Sequence, residues 1–381
     1  MVQTSLSSVS MRFIGRRIIM REWMLEYLRC PATKAKLRLE QAVWRGNQVQ
    51  SGMLVSREGT QAYPIIAGIP RMLPGVRTED DRRRVYADSF GYQWTHFQWE
   101  RAVDESEYFA ISDQTPDSLR KKTVLDAGCG GGRVSRVMGQ HCRRLIGLDF
   151  TIAVDRARTH THSLSQCEFV QGDVLRPPLA EEAFDYVWSH GVLHHTLDTH
   201  AGVCALSRVV KPGGVLHIVL FLKAWAPLRI SDAIVRAFIR RLPYKTGVRV
   251  CEMMGALRHL PAARFWKRFF WFSLQPSAEL RTYCNFDWYM PRYHHEHTVD
   301  EVRSWFRDGG FTRIRYLNAW PYAPAAEKCV EPSFWRRARL GQLLGVVARK
   351  QLTQVVATKR RGDVILDAAP AIAEKESSCP V

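Results

Sequence analysis

The sequence contains no C-x-x-C pair. Its nine cysteines (Cys30, Cys129, Cys142, Cys167, Cys204, Cys251, Cys284, Cys329 and Cys379) stand singly along 381 residues. That spacing argues against a disulfide framework or a zinc finger and points to a reducing, cytoplasmic compartment. A run of about 18 apolar residues, the minimum for a membrane-spanning helix, is also missing. The nearest approach, Gly214 to Leu228, is interrupted by His217 and Lys223 and reads better as a strand followed by a loop. The N-terminus lacks the uninterrupted apolar core of a signal peptide, because arginines occupy it. Met11 and Met20 are alternative starts, so residues 1–20 are expected to be disordered or to precede the natural start. No internal repeat is visible.

Acidic residues are scarce in one stretch. Segment 221–275 holds eleven basic and two acidic residues, so half of the net charge of +18 sits there. Such a stretch is either a solvated helical face or an attractor for an anionic partner.

The chain divides into a small module at 21–75, a helical lead-in at 76–120, a main domain at 121–351 and a flexible tail at 352–381. From Thr123 to about Leu220, the apolar runs TVLDAG, RRLIGLD, CEFVQGD, FDYVWSHG and GVLHIVLF alternate with helical patterns. That alternation predicts an α/β fold with a parallel sheet. Residues 222–297 interrupt it. The pattern resumes with a helix at 298–308, opened by a Thr298/Glu301 capping box and closed by Gly309-Gly310. Two further strand-like runs follow, FTRIRYLN and LGVVARK.

The chemistry concentrates at VLDAGCGGGR, Val124 to Arg133. A strand ends in Asp126, and glycines at 128, 130 and 132 lead into a helix. Glycine is required where the backbone turns sharply or where a ligand approaches too closely for a Cβ. By itself this turn suits a dinucleotide pyrophosphate at a helix N-terminus equally well. Further on, LIGLD ends in Asp149, placed to accept ribose hydroxyls, and FVQGD ends in Asp173, placed for an adenine amino group. A fourth strand and the KPGG turn, Lys211 to Gly214, complete the series.

Together these motifs resemble the class I S-adenosylmethionine-dependent methyltransferases, in particular their type 11 small-molecule group. The resemblance is strong over about 120–220 and looser over 298–350. It implies a Rossmann-like, seven-stranded sheet with a helical insert after the fifth strand, and S-adenosylmethionine as cofactor. It places Asp126, Gly128, Cys129, Gly130 and Gly132 around the methionine moiety and Asp149 on the ribose. Phe150 would lie against the adenine, Asp173 and Val174 at its edge, and Ser189-His190 on the floor near the sulfonium. A sulfonium methyl is already activated, so catalysis needs positioning and, for a nucleophile that must lose a proton, a base. His194 and His195 are the candidates, with His195 ranked first. The competing reading has both rings packing on or capping the next helix.

Tyr293-His294-His295-Glu296-His297 invites a metal reading, but no matching acidic or histidine group is evident elsewhere. The stretch Asp287 to His295 reads instead as a substrate-side loop, with Tyr289, Tyr293 and His294 facing the acceptor. The N-terminal module resembles a zinc-ribbon-like methyltransferase activator in its YPI…GIP portion. The four ligand positions of that family read Cys30, Thr33, Ser56 and Gly59, so a structural zinc is not expected; the module should be held by its own small core and docked on the main domain. The insert at 222–297 is read as a substrate lid. Its AIVRAFIRRLPY and AARFWKRFFWF stretches mix bulky apolar side chains with arginine and lysine, as interfacial helices do. The expected acceptor is a small or lipid-linked metabolite, with peripheral membrane contact through 222–275. Transfer to tRNA or protein, or a catalytically silent partner subunit, are the alternatives, and nucleic acid is the less favoured partner. The sequence leaves the oligomeric state and the acceptor atom open.

Overall fold

A computed structural model describes residues 19–73, 89–97, 105–224, 226–267, 269–318 and 343–350. Of the N-terminal stretch 1–20 expected to be disordered or to precede the natural start, residues 1–18 lie outside the described residues, as does the expected tail at 352–381. The main domain is built on one seven-stranded sheet. Its strands are β6 (Thr123–Ala127), β7 (Arg144–Asp149), β8 (Cys167–Gln171), β9 (Phe184–His190), β10 (Val210–Phe221), β11 (Phe311–Asn318) and β12 (Leu343–Lys350). The order is β11-β12-β10-β9-β6-β7-β8. From β8 to β10 all pairs are parallel, while β12 pairs antiparallel with both β10 and β11.

Every residue of β6 and of β8 is buried. That is why these strands read as continuous apolar runs: a parallel sheet is covered on both faces. The covering helices include α3 (Arg133–His141), α4 (Ala153–His160), α5 (Thr199–Val209) and α9 (Val299–Asp308). The start of α9 carries the capping box read from the sequence, with Thr298 and Glu301 each satisfying the other's backbone N–H. At the opposite, amino end of the sheet, Asp185 accepts from the Thr123 N–H at 2.8 Å and from Lys211 Nζ at 2.9 Å. One carboxylate thereby ties the starts of β6, β9 and β10 together.

The N-terminal module is a small antiparallel sheet of β1 (Met20–Arg21), β2 (Leu37–Arg45), β3 (Gln48–Ser56), β4 (Ala62–Ile66) and β5 (Ile69–Pro70). Met20 is buried inside β1, so ordered structure begins before the expected boundary at 21. The expectation of a private core is also corrected. Met20, Met24, Leu28, Leu54 and Ile65 belong to the same hydrophobic cluster as Leu125, Ile146 and Val170 of the main sheet.

Backbone pairing fixes this docking. Arg71 bridges Gln171 in parallel, Leu28 bridges Leu179, and Met72 N donates to Gln171 O at 2.8 Å. The edge of β8 is thus covered rather than left open to pair with another chain. Glu168 on β8 is fully buried between Arg21 at 2.9 Å and Arg158 at 3.2 Å. Burial pushes its pKa up and the two guanidinium groups oppose that shift. Cys30 lies in the module core with its thiol 3.4 Å from the Tyr63 hydroxyl.

Between β10 and α9 the chain forms α6 (Ala226–Ile239), α7 (Tyr244–Gly255) and α8 (Ala278–Tyr289), with a short helical turn at Ala263–Trp266 before α8. Together with the lead-in helix α1 (Ser89–His96) they form a lid with its own core of Phe97, Phe221, Ile239, Cys251, Phe286 and Trp288. A further lead-in helix, α2 (Glu105–Ser112), buries Tyr108 against Trp188 of β9. No helix among the described residues is long and apolar enough to cross a membrane.

Candidate functional site

The connection order of the sheet reverses between β6 and β9, with β7 and β8 to one side and β10 to the other. Open α/β sheets bind ligands beyond the carboxyl ends of their strands at such a switch point. The loop 128–132 occupies this point, and Gly128, Gly130 and Gly132 all have positive φ (85°, 51° and 77°). A Cβ on Gly128 would fall 2.2 Å from Val192 Cγ2, and one on Gly132 would fall 2.7 Å from Ala157 Cα. These two glycines are therefore required by neighbouring protein as well as by backbone conformation. The sequence reading had assigned the close approach to a ligand.

The two strand-end carboxylates behave differently. Asp149 accepts from the Gly130 N–H at 2.8 Å through Oδ2, and from the Thr151 N–H and hydroxyl at 2.8 and 2.7 Å through Oδ1. Burial raises its pKa, and these three donors oppose the rise. One lone pair of Oδ2 remains open. Asp126 is 3 % exposed and accepts from the Ser135 hydroxyl at 2.5 Å. Burial pushes its pKa up to about 7; the serine opposes this and the nearby Asp149 adds to it.

The other residues of the cofactor reading surround this pair. Phe150 is 40 % exposed, a large aromatic surface beside the switch point. Asp173 is half-buried and accepts from the Leu175 N–H at 2.8 Å, and Val174 is buried. Cys129 contributes its backbone to the loop, whereas its side chain packs in the core with its thiol pKa raised by burial. Ser189 lies at the end of β9 with a buried hydroxyl that has no hydrogen-bond partner. Beside it, burial and the charge of Arg133 lower the His190 pKa to about 4. An open lone pair on Asp149, an orphaned Ser189 hydroxyl and an exposed Phe150 ring suit a polar, aromatic-bearing cofactor such as a nucleoside.

Past β9, three imidazoles gather under the lid. His194 stacks on Phe221 with centroids 3.8 Å apart and lies 4.3 Å from His195, which is 5.9 Å from His294. His195 Nδ1 is 2.9 Å from the Tyr293 carbonyl, a contact in which only a protonated Nδ1 can donate. That tautomer leaves Nε2 with a lone pair, and Nε2 is buried with no partner. Both ring nitrogens of His194 and of His294 are likewise buried without hydrogen-bond partners among the described residues, although His294 Nε2 lies 3.9 Å from Glu296 Oε1. Burial lowers the pKa of all three rings and favours their neutral form. The next helix, α5, is capped by Asp198, which accepts the Ala201 N–H at 3.0 Å, and not by either histidine. Among the described residues no three His, Cys, Asp or Glu side chains are arranged so that they could hold a metal ion.

The structure redistributes the expected substrate loop. Tyr289 ends α8, is fully buried and donates its hydroxyl to the Trp271 carbonyl at 2.6 Å, so it belongs to the lid core and not to the acceptor lining. Tyr293 and His294 do reach the histidine cluster. Two contributors went unread. Phe90 of α1 packs on His195 at 5.1 Å, and Gln93 donates to Asp287 at 3.0 Å. Their only sequence signal was the aromatic density of SFGYQWTHF, which carries no spacing that names a partner.

Residues 125–218 match the family described as "Methyltransferase domain". That span runs from β6 into β10. Malonyl-[acyl-carrier protein] O-methyltransferase of Enterobacter lignolyticus is 29% identical over 134 residues, covering 35% of this chain and 52% of that protein. Ubiquinone biosynthesis O-methyltransferase of Pseudomonas entomophila is 35% identical over 132 residues, covering 31% of this chain and 55% of that protein. A solved Burkholderia thailandensis 1,6-didemethyltoxoflavin-N1-methyltransferase is 14% identical with a TM-score of 0.41, covering 79% of this chain and 96% of that chain. The chain spans about half the length of the curated relatives it matches. Over residues 125–218 the chain carries a methyltransferase domain.

Proposed function

We propose that this protein transfers a methyl group from S-adenosylmethionine to an oxygen of a small or lipid-linked metabolite. The observation that carries the reading is the coincidence of the methyltransferase match with a sheet switch point followed by the buried imidazoles of His194 and His195, of which His195 keeps Nε2 without a hydrogen-bond partner among the described residues. Two relatives named as O-methyltransferases support the oxygen acceptor.

In this reading Asp149 holds the ribose hydroxyls through its open lone pair, Phe150 covers the adenine, and Asp173 and Val174 meet its edge. Asp126 and the loop 128–132 take the methionine end, and Ser189-His190 form the floor. When bound, the cofactor supplies a methyl carbon already activated by its sulfonium. The chain's own part is to position the acceptor, exclude water and accept a proton. His195 Nε2 takes that proton, because its ring is held by the Tyr293 carbonyl through the opposite nitrogen. Lid residues Tyr293 and His294 close the acceptor side.

The test is calorimetry with S-adenosylmethionine, followed by incubation of the protein and methyl-labelled cofactor with a cell extract. Micromolar binding lost in Asp149→Ala, and label in the lipid or polar-metabolite fraction, are expected. Absent binding rejects the enzyme reading, and label confined to RNA or protein rejects the acceptor class.

A further inference from the structure

Helix α6 is inside out. Its buried stripe is Leu228, Asp232, Arg236 and Ile239, so two of its four inward positions are charged. Asp232 accepts the Trp288 indole N–H at 2.5 Å, and Arg236 donates to the carbonyls of Trp288 and Pro291. The opposite stripe, at four-residue spacing, is Ile230, Ile234 and Phe238, which are 62%, 66% and 65% exposed. A helix that serves only a soluble fold turns its apolar stripe inward.

The exposed stripe continues beyond the helix. The Ser231 hydroxyl donates to the Phe269 carbonyl, bringing the segment 265–269 beside α6. There Phe265, Trp266 and Phe269 are also exposed, their rings 5.4–5.5 Å apart. Eight of the twelve exposed large apolar side chains among the described residues fall between 230 and 269. Exposed Arg229, Arg240, Arg241, Lys245, Arg249 and Arg264 flank them, while the stretch 221–275 has only Asp232, buried, and Glu252 as acids.

We infer that this outer face of the lid docks on an anionic lipid bilayer, the apolar stripe entering the interface and the cations meeting the headgroups. Large apolar side chains rimmed by arginine and lysine are what such a surface selects. A second copy of the chain fits less well, because a two-fold contact would press two cationic faces together. A nucleic-acid backbone would satisfy the cations and leave Ile230, Ile234 and Phe238 without a counterpart. The inference does not depend on the methyl-transfer reading.

The experiment is co-sedimentation of the full chain with phosphatidylcholine vesicles, with and without phosphatidylglycerol, at low and high salt. Binding is expected only with phosphatidylglycerol, weakening as salt rises. In Ile234→Ser/Phe238→Ser and in Trp266→Ala it should weaken about tenfold or more, while calorimetric affinity for S-adenosylmethionine stays unchanged. No binding to anionic vesicles, equal binding to neutral ones, or variants that bind like the parent would overturn the inference. So would a vesicle-free dimer, or RNA binding, abolished by the same substitutions. Failure of the methyltransferase reading shows separately, as absent cofactor binding in the parent protein.

Discussion

Replacing Asp126 by Asn should stabilise the cofactor-free protein while weakening its cofactor site, and the gain should depend on pH. The folded environment raises the Asp126 pKa from 3.8 to about 7, chiefly through burial. A carboxyl whose folded pKa is raised favours folding in its protonated form. Its stabilising effect is complete below the unfolded pKa and is lost progressively as pH climbs to the folded one. About three units at ~1.4 kcal/mol each set a penalty of roughly 4 kcal/mol above pH 7. About 2 kcal/mol of it develops between pH 5 and pH 7. Asn keeps an acceptor for the Ser135 hydroxyl and carries no charge. The stability difference between Asp126→Asn and parent should therefore grow by about 3 kcal/mol from pH 5 to pH 8. Urea unfolding of both proteins without cofactor measures it, and histidine titrations common to both cancel in the difference. Calorimetry should show S-adenosylmethionine binding about ten- to a hundredfold weaker in the variant, as for a lost charge-assisted hydrogen bond. Stability curves that stay parallel from pH 5 to pH 8 refute the argument.

Three further outcomes follow from the site. His195→Gln should lower kcat by about 10²–10⁴-fold with cofactor affinity unchanged. The parent's kcat should rise with pH through a pKa below 6.5, because burial lowers that of His195 and the neutral ring is the active form; a pH-independent parent rate rejects this role. Gly128→Ala should depress thermal stability by forcing a Cβ against Val192 at positive φ. Adding Val192→Ala should restore the part due to the clash and leave about 1–3 kcal/mol of backbone strain, whereas full recovery would mean that φ is irrelevant. Arg71→Ala removes the ion pair to Asp155 at 2.5 Å and the contact to Gln171, whose amide donates to the Phe150 carbonyl at 3.0 Å. Cofactor binding should weaken about fivefold, the scale of one modest hydrogen bond, and unchanged calorimetric affinity would show that the module does not shape the adenine wall.

The cofactor half was legible because buried parallel strands leave a strong trace. Runs such as TVLDA and CEFVQ admit few readings when both faces are covered, and the carboxylates after them mark the strand ends. The α9 start was legible for a similar reason, since a capping box is satisfied within four residues. What escaped depends on distant partners. The sequence around Leu28 does not announce Leu179, and nothing in the YPI…GIP run names Gln171. Tyr289 falls in the stretch Asp287 to His295 that reads as a substrate-side loop, with Pro291 two residues on. Yet the residues before it complete a capped helix, and the proline lies just beyond its end.

The amphipathic stretch AIVRAFIRRL suits either a helix packed on the domain or an interfacial one. In a packed helix its apolar stripe would face inward. Asp232 and Arg236 reverse it, because the 288–291 turn has an indole N–H and two carbonyls that need buried partners. Burial raises the Asp232 pKa and lowers that of Arg236, and the opposite charge of each opposes the shift of the other. A buried pair of this kind adds little net stability over apolar packing, though removing one partner is costly. Holding that turn, which presents Tyr293 and His294 to the histidine cluster, is thus a positional gain obtained by exposing three large apolar side chains. In water that exposure is a standing liability; under the proposed bilayer docking it becomes the contact surface, and the buried contacts that hold the 288–291 turn are also what turn the apolar stripe outward.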